Sequence, residues 1–484
     1  MRTIKEQEIT ALAPNAGAVT NGRKISSGGG FVMRRRSEDD TFYMGECKGS
    51  GKKNYVVSAD YIDAAQPVFR CTCPSRQFPC KHSLALLFEI AAGKEFETGE
   101  IPQDILDKRQ KKAAREAKKQ EGTENRPAAE KSRKASKAAK LKKIKKQLEG
   151  LGLLKQLTDG LMAGGLGAMG SVSLKTYRDL ARQLGDYYLP GPLTYLNRLI
   201  LEMEEYQKDQ DSGHYHKAVE ILKKLRALEK KAEQYLNEKL EQDAPEADDD
   251  ELYEELGGIW KLEQLNGLGL KKENARLLQL SFQVSYDQAR KEFIDLGFWA
   301  DLDSGEICHT CNYRPVKALK YIKQEDSCFQ VAKIPVLTYY PGKVNRRVRW
   351  SGSRLEDAGT DVYRELMKQA YPDFASAAKA VKNEIKNILS EDYCPVMVAV
   401  RRIGTVKAGE KKEFAAADKA DNKMVLRSRK EWQDTVSMLP MLPEHTFLEN
   451  SVVFGLMYYD LKDRNMCLHP LSILKEQGIL RLLY

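Results

Sequence analysis

The spacing of hydrophobic positions changes repeatedly along this chain, and each change marks a region. In the first hundred residues the apolar runs are short, β-branched and aromatic: Thr41–Cys47, Asn54–Ser58 and Pro67–Arg70. Turn signals at Gly28-Gly29-Gly30 and Gly49-Ser50-Gly51 separate them, so they predict antiparallel strands. The run His82 to Ala92, closed by Gly93, predicts a helix. The order is strand, strand, loop, helix.

Residues 101–149 hold almost no large apolar side chain before Leu141. Such a segment cannot bury enough surface to offset chain entropy, although its Ala, Lys, Glu and Gln favour local helix. It reads as a basic flexible linker. Helical spacing then dominates 150–242: Leu174, Tyr177, Leu180 and Leu184, then Leu196, Leu199 and Met203, then Ala218, Leu222, Leu225 and Ala232. Residues 243–250 are an acidic linker. The chain from 251 is expected to be helical to about Trp299, then to turn to short strands at 331–340, 395–406, 423–427 and 452–459. A helical hairpin at 361–390 interrupts these strands. The fold class is therefore multidomain α+β, with regions 1–100, 101–149, 150–242, 243–250 and 251–484.

Charge sharpens this division. The formal net charge is +10. The tract Lys108–Lys146 alone carries +13 and Glu238–Glu255 carries −9. Charge thus sits in tracts rather than over the whole surface. No stretch of about 18 apolar residues exists, so no membrane span is expected. The first residues lack the apolar core of a signal peptide, and nine cysteines give no even disulfide framework. A cytoplasmic protein is the expectation.

One segment carries definite chemistry. Cys71, Cys73, Cys80 and His82 follow the order C-x-C-x6-C-x-H. Three thiolates and an imidazole are a complete tetrahedral set for Zn²⁺, with no position left for water or substrate. One structural zinc ion is expected. Arg70, Arg76 and Lys81 flank the site and offset the formal −1 of a three-thiolate centre.

The residues Gly45-Glu46-Cys47-x-Gly49-Ser50-Gly51-Lys52, the run Tyr55-Val56-Val57, and Phe69 to His82 resemble the SWIM zinc finger. More narrowly they resemble bacterial SWIM-containing proteins. The resemblance covers about 40 residues of the chain. It implies a small zinc-stabilised ββα module that binds DNA or protein. It also implies partnership with MoxR-type AAA ATPases and von Willebrand A-domain proteins.

Other signals are weaker. Gly165-x-Gly167-x2-Gly170 lacks the strand–helix context of a dinucleotide site and reads as an inter-helix loop. Cys308, Cys311 and Cys328 lack a fourth properly spaced ligand and read as small apolar side chains. The basic tract suits phosphate contact, and equally a solubilising linker or a partner for the acidic tract. Lys343, Arg346, Arg347, Arg349 and Arg354 around Trp350 form a second basic patch. No hydrolase, kinase, Walker A or H-E-x-x-H motif is present. The expected function is a non-enzymatic DNA- or protein-binding adaptor. The alternative is a nucleic-acid-processing hydrolase or nuclease whose site in the C-terminal region is not legible.

Overall fold

The structure, a computed structural model, describes residues 4–49, 54–63, 67–73, 79–110, 126–171, 173–244, 246, 248–408, 411–442 and 445–483. The turn at Gly51-Lys52, the ligand-flanking Arg76 and residues 111–125 of the basic tract lie outside them. The chain divides into two units, Met1–Lys134 and Ala135–Tyr484.

The first unit opens with two helices that the hydrophobic pattern left unassigned, α1 (Glu6–Leu12) and α2 (Ala16–Ser27). Asn15 caps α2 by accepting the Ala18 N–H at 2.8 Å. The apolar positions of α2 are mostly small, so its period is faint. Five strands follow: β1 (Phe31–Arg36), β2 (Phe42–Cys47), β3 (Tyr55–Asp60), β4 (Val68–Cys71) and, after helix α3 (Lys81–Ala91), β5 (Glu97–Thr98). They form one sheet in the order β4-β3-β2-β1-β5. The α3 side chains Leu84, Leu87 and Ile90 bury against Tyr43 and Val57 of the sheet and Ile9 of α1. Gly22 lets α2 approach the first turn of α3; a Cβ there would stand 3.1 Å from the Lys81 carbonyl oxygen.

The second unit begins with a helical bundle: most of α4 (Arg126–Gly164), then α5 (Leu174–Asp186), α6 (Pro190–Asp209) and α7 (Ser212–Glu241). Its core includes Leu151, Leu154, Leu196, Leu199, Leu225 and Ala232. Here the structure corrects the linker reading. Residues 126–149 are helical, because Ile144 begins an apolar stripe that continues through Leu148, Leu151 and Leu154 into this core.

A larger correction concerns 251–300. Residues 271–301 are not helical: they form two long strands, β6 (Lys271–Asp287) and β7 (Glu292–Asp301). These continue into β8 (Ile307–Pro315), β9 (Val331–Tyr339), β10 (Val348–Arg349) and the short β11 (Arg354–Glu356). Helices α8 (Thr360–Lys368) and α9 (Phe374–Ile385) follow, as the hairpin reading expected. The chain ends with β12 (Tyr393–Ala408), β13 (Lys411–Ala417), β14 (Lys423–Leu426), β15 (Glu449–Asp460), β16 (Asn465–Lys475) and β17 (Gly478–Arg481).

The pairing of these strands closes two barrels with one connectivity. In the first, β6 pairs with β7 and β9, β7 with β8, and β9 with β10. A parallel bridge from His309 of β8 to Arg347, beside β10, completes the ring. In the second, β12 pairs with β13 and β15, β13 with β14, and β15 with β16. The parallel pair β14–β16 closes it. Each ring therefore runs first, second, third, fifth, fourth strand. That is the five-stranded Greek-key barrel of the OB type.

Leu277, Trp299, Cys308, Ile334 and Leu337 fill the first barrel. Val396, Val398, Ile403, Ala416, Met424 and Leu468 fill the second. A further core joins the two, with Leu278, Leu280 and Phe298 meeting Met397, Phe454 and Leu456. Strand β6 thus buries both faces, Leu277 inward and Leu278 toward the other barrel. Its sequence alternates, with Leu278, Leu280, Phe282, Val284 and Tyr286 separated by polar residues, which is a strand period that the helical reading passed over.

Candidate metal centre

Three short elements deliver the four predicted ligands. Cys71 ends β4, which the register Val57↔Cys71 ties to β3. Cys73 follows two residues on, and residues 74–78 lie outside the described chain. Cys80 is the N-cap of α3, where its sulfur accepts the Ser83 N–H at 3.5 Å. His82 stands in the first turn of the same helix. The ligand atoms of all four lie within 4.8 Å of one another. Among the described residues this is the one such grouping of three or more metal-ligating side chains.

The geometry fits a tetrahedral ion. Cys71 Sγ and Cys80 Sγ stand 3.9 and 4.0 Å from His82 Nδ1. A zinc ion with bonds of about 2.0–2.3 Å places its ligands roughly 3.5–3.8 Å apart. A small contraction of the observed set reaches that spacing. The donors are three sulfurs and one imidazole, with no carboxylate, which is the chemistry of a closed zinc site. Cys73, Cys80 and His82 are buried and Cys71 is half-buried, so the centre belongs to the unit's interior.

Protonation at the two facing sulfurs follows from their hydrogen bonding. The Cys71 hydrogen bond, and after it those of His82 and Ser83, pull the Cys80 thiol down against the opposing effect of burial. Sharing with Cys80, and then burial, push the Cys71 thiol up. The opposite directions belong to the pair, and a bound cation requires both sulfurs as thiolates. Position adds to the effect at Cys80, since a helix N-terminus stabilises a thiolate.

Around the ligands lies a supporting layer that the spacing did not reveal. The Tyr55 ring packs 5.0 Å from the His82 ring. Glu89, fully buried on α3, accepts hydrogen bonds from Ser26 of α2 and Arg34 of β1. It fixes the helix that carries two ligands against two neighbouring elements. Asp60, also buried, receives Arg70 at 3.3 Å and Arg109 at 2.8 Å. Arg70 is therefore engaged by Asp60 beside the metal centre. Glu89 and Asp60 are ordinary acids in the sequence, and only burial distinguishes them.

The remaining candidates disperse. Cys308 lies inside the first barrel and Cys328 donates to the Gln330 carbonyl at 3.4 Å. Arg346 is engaged by Glu306 at 3.1 Å and Arg347 by Glu254 at 2.6 Å, each guanidinium also lying over a tyrosine ring. Those two guanidiniums are satisfied within the fold. In the basic tract, Lys137 and Lys140 pair with Asp243 and Glu246 of the acidic stretch. Gly165, with φ +72°, ends α4 and leads toward α5.

Comparison with known proteins agrees with the site. The family model of the SWIM zinc finger matches residues 70–91. No curated protein matches the chain. Two solved structures show low similarity. One is a murine DNA binding protein bound with ds DNA, 11% identical over 43% of this chain and 96% of that chain, at a TM-score of 0.20. The other is a replication protein A heterotrimer bound to ssDNA, 10% identical over 41% of this chain and 49% of that chain, at a TM-score of 0.18. Likeness at those scores is too slight to bear on fold or function. What the ligand geometry and the family match establish together is a SWIM-type zinc-finger domain at residues 70–91.

Proposed function

We propose that this chain is a nucleic-acid-binding adaptor whose first unit is folded by one structural zinc ion. The observation that carries the reading is the closed donor set Cys71, Cys73, Cys80 and His82. Four protein ligands leave the metal no place for substrate, so the module acts through the surface it holds in shape. Lys48 and Lys81 are exposed near the ligands and are the cations offered to DNA phosphates. The finer kinship, with bacterial SWIM-containing proteins, rests on the run Cys71 to His82. On that resemblance alone we also propose cytoplasmic MoxR-type AAA ATPases and von Willebrand A-domain proteins as protein partners.

The test uses the full chain. Metal analysis should give about one zinc per chain, and Cys80→Ser should abolish it. Lys81→Glu should keep the zinc and weaken duplex DNA binding several-fold at low salt. Less than half an equivalent of zinc would overturn the structural reading. Undiminished DNA binding by both variants would remove the finger from the contact.

A further inference from the structure

We propose that Tyr188, together with Lys143 and Lys146 of α4, binds a single strand of nucleic acid by stacking a base and holding its phosphates. The site lies on the helical bundle, apart from the zinc finger and the barrels, and does not rest on the finger reading.

No aromatic residue occurs between Lys108 and Lys146, so the basic tract offers cations to phosphates but no ring to a base. Folding supplies the ring from elsewhere. Helix α5 ends in a Schellman turn. The Leu189 N–H donates to the Leu184 carbonyl at 2.9 Å, and the Tyr188 N–H to the Gly185 carbonyl at 3.0 Å. The left-handed position of such a turn usually holds glycine. Here it holds Tyr188, with φ +58°. That conformation strains any residue with a Cβ. The ring is not buried in compensation, since Tyr188 is 49% exposed.

Helix α4 fixes the strained turn. Buried Gln147 donates to the Tyr188 carbonyl oxygen at 2.9 Å. Gly150 lets the turn lie against the helix, because a Cβ there would stand 2.5 Å from Tyr187 Cβ. Strain that the surrounding structure holds in place at an exposed position points to function.

The cations converge on the same place. Lys143 Nζ and Lys146 Nζ, one turn apart, lie 5.7 and 5.5 Å from the centre of the Tyr188 ring. Lys146 Nζ also lies 5.8 Å from the Tyr187 ring. Earlier on α4, Lys137 and Lys140 are taken by Asp243 and Glu246 of the acidic stretch. The pairing stops there. Lys142, Lys143, Lys145 and Lys146 are exposed, and among the described residues none of them forms an ion pair with a carboxylate. Against these four stand Glu149 and Asp186, which leaves the patch at +2. Like charges three and four residues apart on a helix repel, and a phosphate chain relieves them.

A ring bordered by two ammoniums matches a nucleotide unit, which presents a flat base and an anion together. On binding, the ammoniums leave the ring for phosphates and the base takes their place over it. A duplex keeps its base faces inside the stack, and an acidic peptide has none.

The experiment measures anisotropy of the full chain with a labelled oligothymidylate of about 12 nucleotides at low salt. Tyr188→Ala should weaken binding about ten-fold and Tyr188→Phe should not, since stacking needs the ring and not the hydroxyl. Lys143→Gln with Lys146→Gln should reduce the logarithmic salt slope by about 1.4, the contribution of two phosphates on a single strand. Tyr188→Gly separates function from packing. It should raise the urea midpoint, because glycine suits the left-handed position, and weaken binding as much as alanine does. A DNA duplex or polyglutamate should compete roughly ten-fold less well per charge than the unlabelled single strand. Cys80→Ser should bind the oligonucleotide as the unaltered chain does. No binding by the unaltered chain, undiminished binding by Tyr188→Ala, or equal competition from duplex or polyglutamate would overturn the proposal. So would a Tyr188→Gly variant that is less stable yet binds normally, since the ring would then serve packing alone. Loss of binding in Cys80→Ser, with Tyr188→Ala unaffected, would refute this surface and leave the finger reading intact.

Discussion

The two units hold short strands in place by different means. In the first, a sheet of small extent is tied to α3 through four side chains at the mouth of that helix. In the second, two closed barrels and a bundle are held by four extended apolar cores. A unit whose strands are two to six residues long has little apolar surface to spare, and a metal supplies what area cannot. The barrels need no such tie, because closure removes strand edges and shared strands bury both faces. The difference teaches that chemistry and architecture are separable here: the metal defines a module, while barrel closure defines surfaces.

The largest expected effect tests this separation directly. Removing zinc with a chelator, or making Cys80→Ser, should unfold the first unit, since metal binding of about 10–16 kcal/mol in such sites is folding free energy. All four tryptophans, Trp260, Trp299, Trp350 and Trp432, lie in the second unit. Tryptophan emission should therefore stay unchanged while amide exchange of 54–98 rises. A parallel shift in emission would show that the second unit also depends on the metal.

A smaller effect probes the other side of the comparison. Asp295 and Arg314 form a buried pair across β7 and β8, with two more donors on the carboxylate from Asn312 and Glu325. Asp295→Ala leaves the guanidinium uncompensated and should cost about 3–5 kcal/mol. Urea unfolding followed by tryptophan emission should show the loss, and zinc content should not change. A cost below about 1 kcal/mol would mean that water reaches the site.

The metal centre was legible because its four ligands occupy twelve residues, and local spacing is what a sequence displays well. The bundle helices and the strands at β9, β12, β14 and β15 were legible through their periods. Strand β6 carried the same kind of signal, Leu278, Leu280, Phe282, Val284 and Tyr286 alternating with polar residues, and the helical expectation overlooked it. The barrels themselves were hidden for another reason. Closure depends on the pairs β14–β16 and His309↔Arg347, which join residues 38 or more apart. Glu89 and Asp60 show the converse case, where composition gives an acid but only the fold makes it an anchor.

The smallest effect concerns acid stability, and it separates the units by histidine rather than by metal. Burial pushes His469 in β16 and His309 in β8 down to about 4. Unfolded, each imidazole titrates near 6.5. Between those values the unfolded chain binds more protons, so stability rises with pH through the window and is lost as pH falls through it. Above about pH 7 the contribution is complete, and by about pH 5 each histidine should have cost roughly 2 kcal/mol. His469→Phe removes one of the two titrations while filling the same buried site, though it gives up the acceptor for the Arg429 N–H. Its urea midpoint should therefore be lower at pH 7 yet fall less between pH 7 and pH 5 than that of the unaltered chain. An equal fall in both would show that His469 is hydrated, and would assign the acid sensitivity of this unit to its ion pairs.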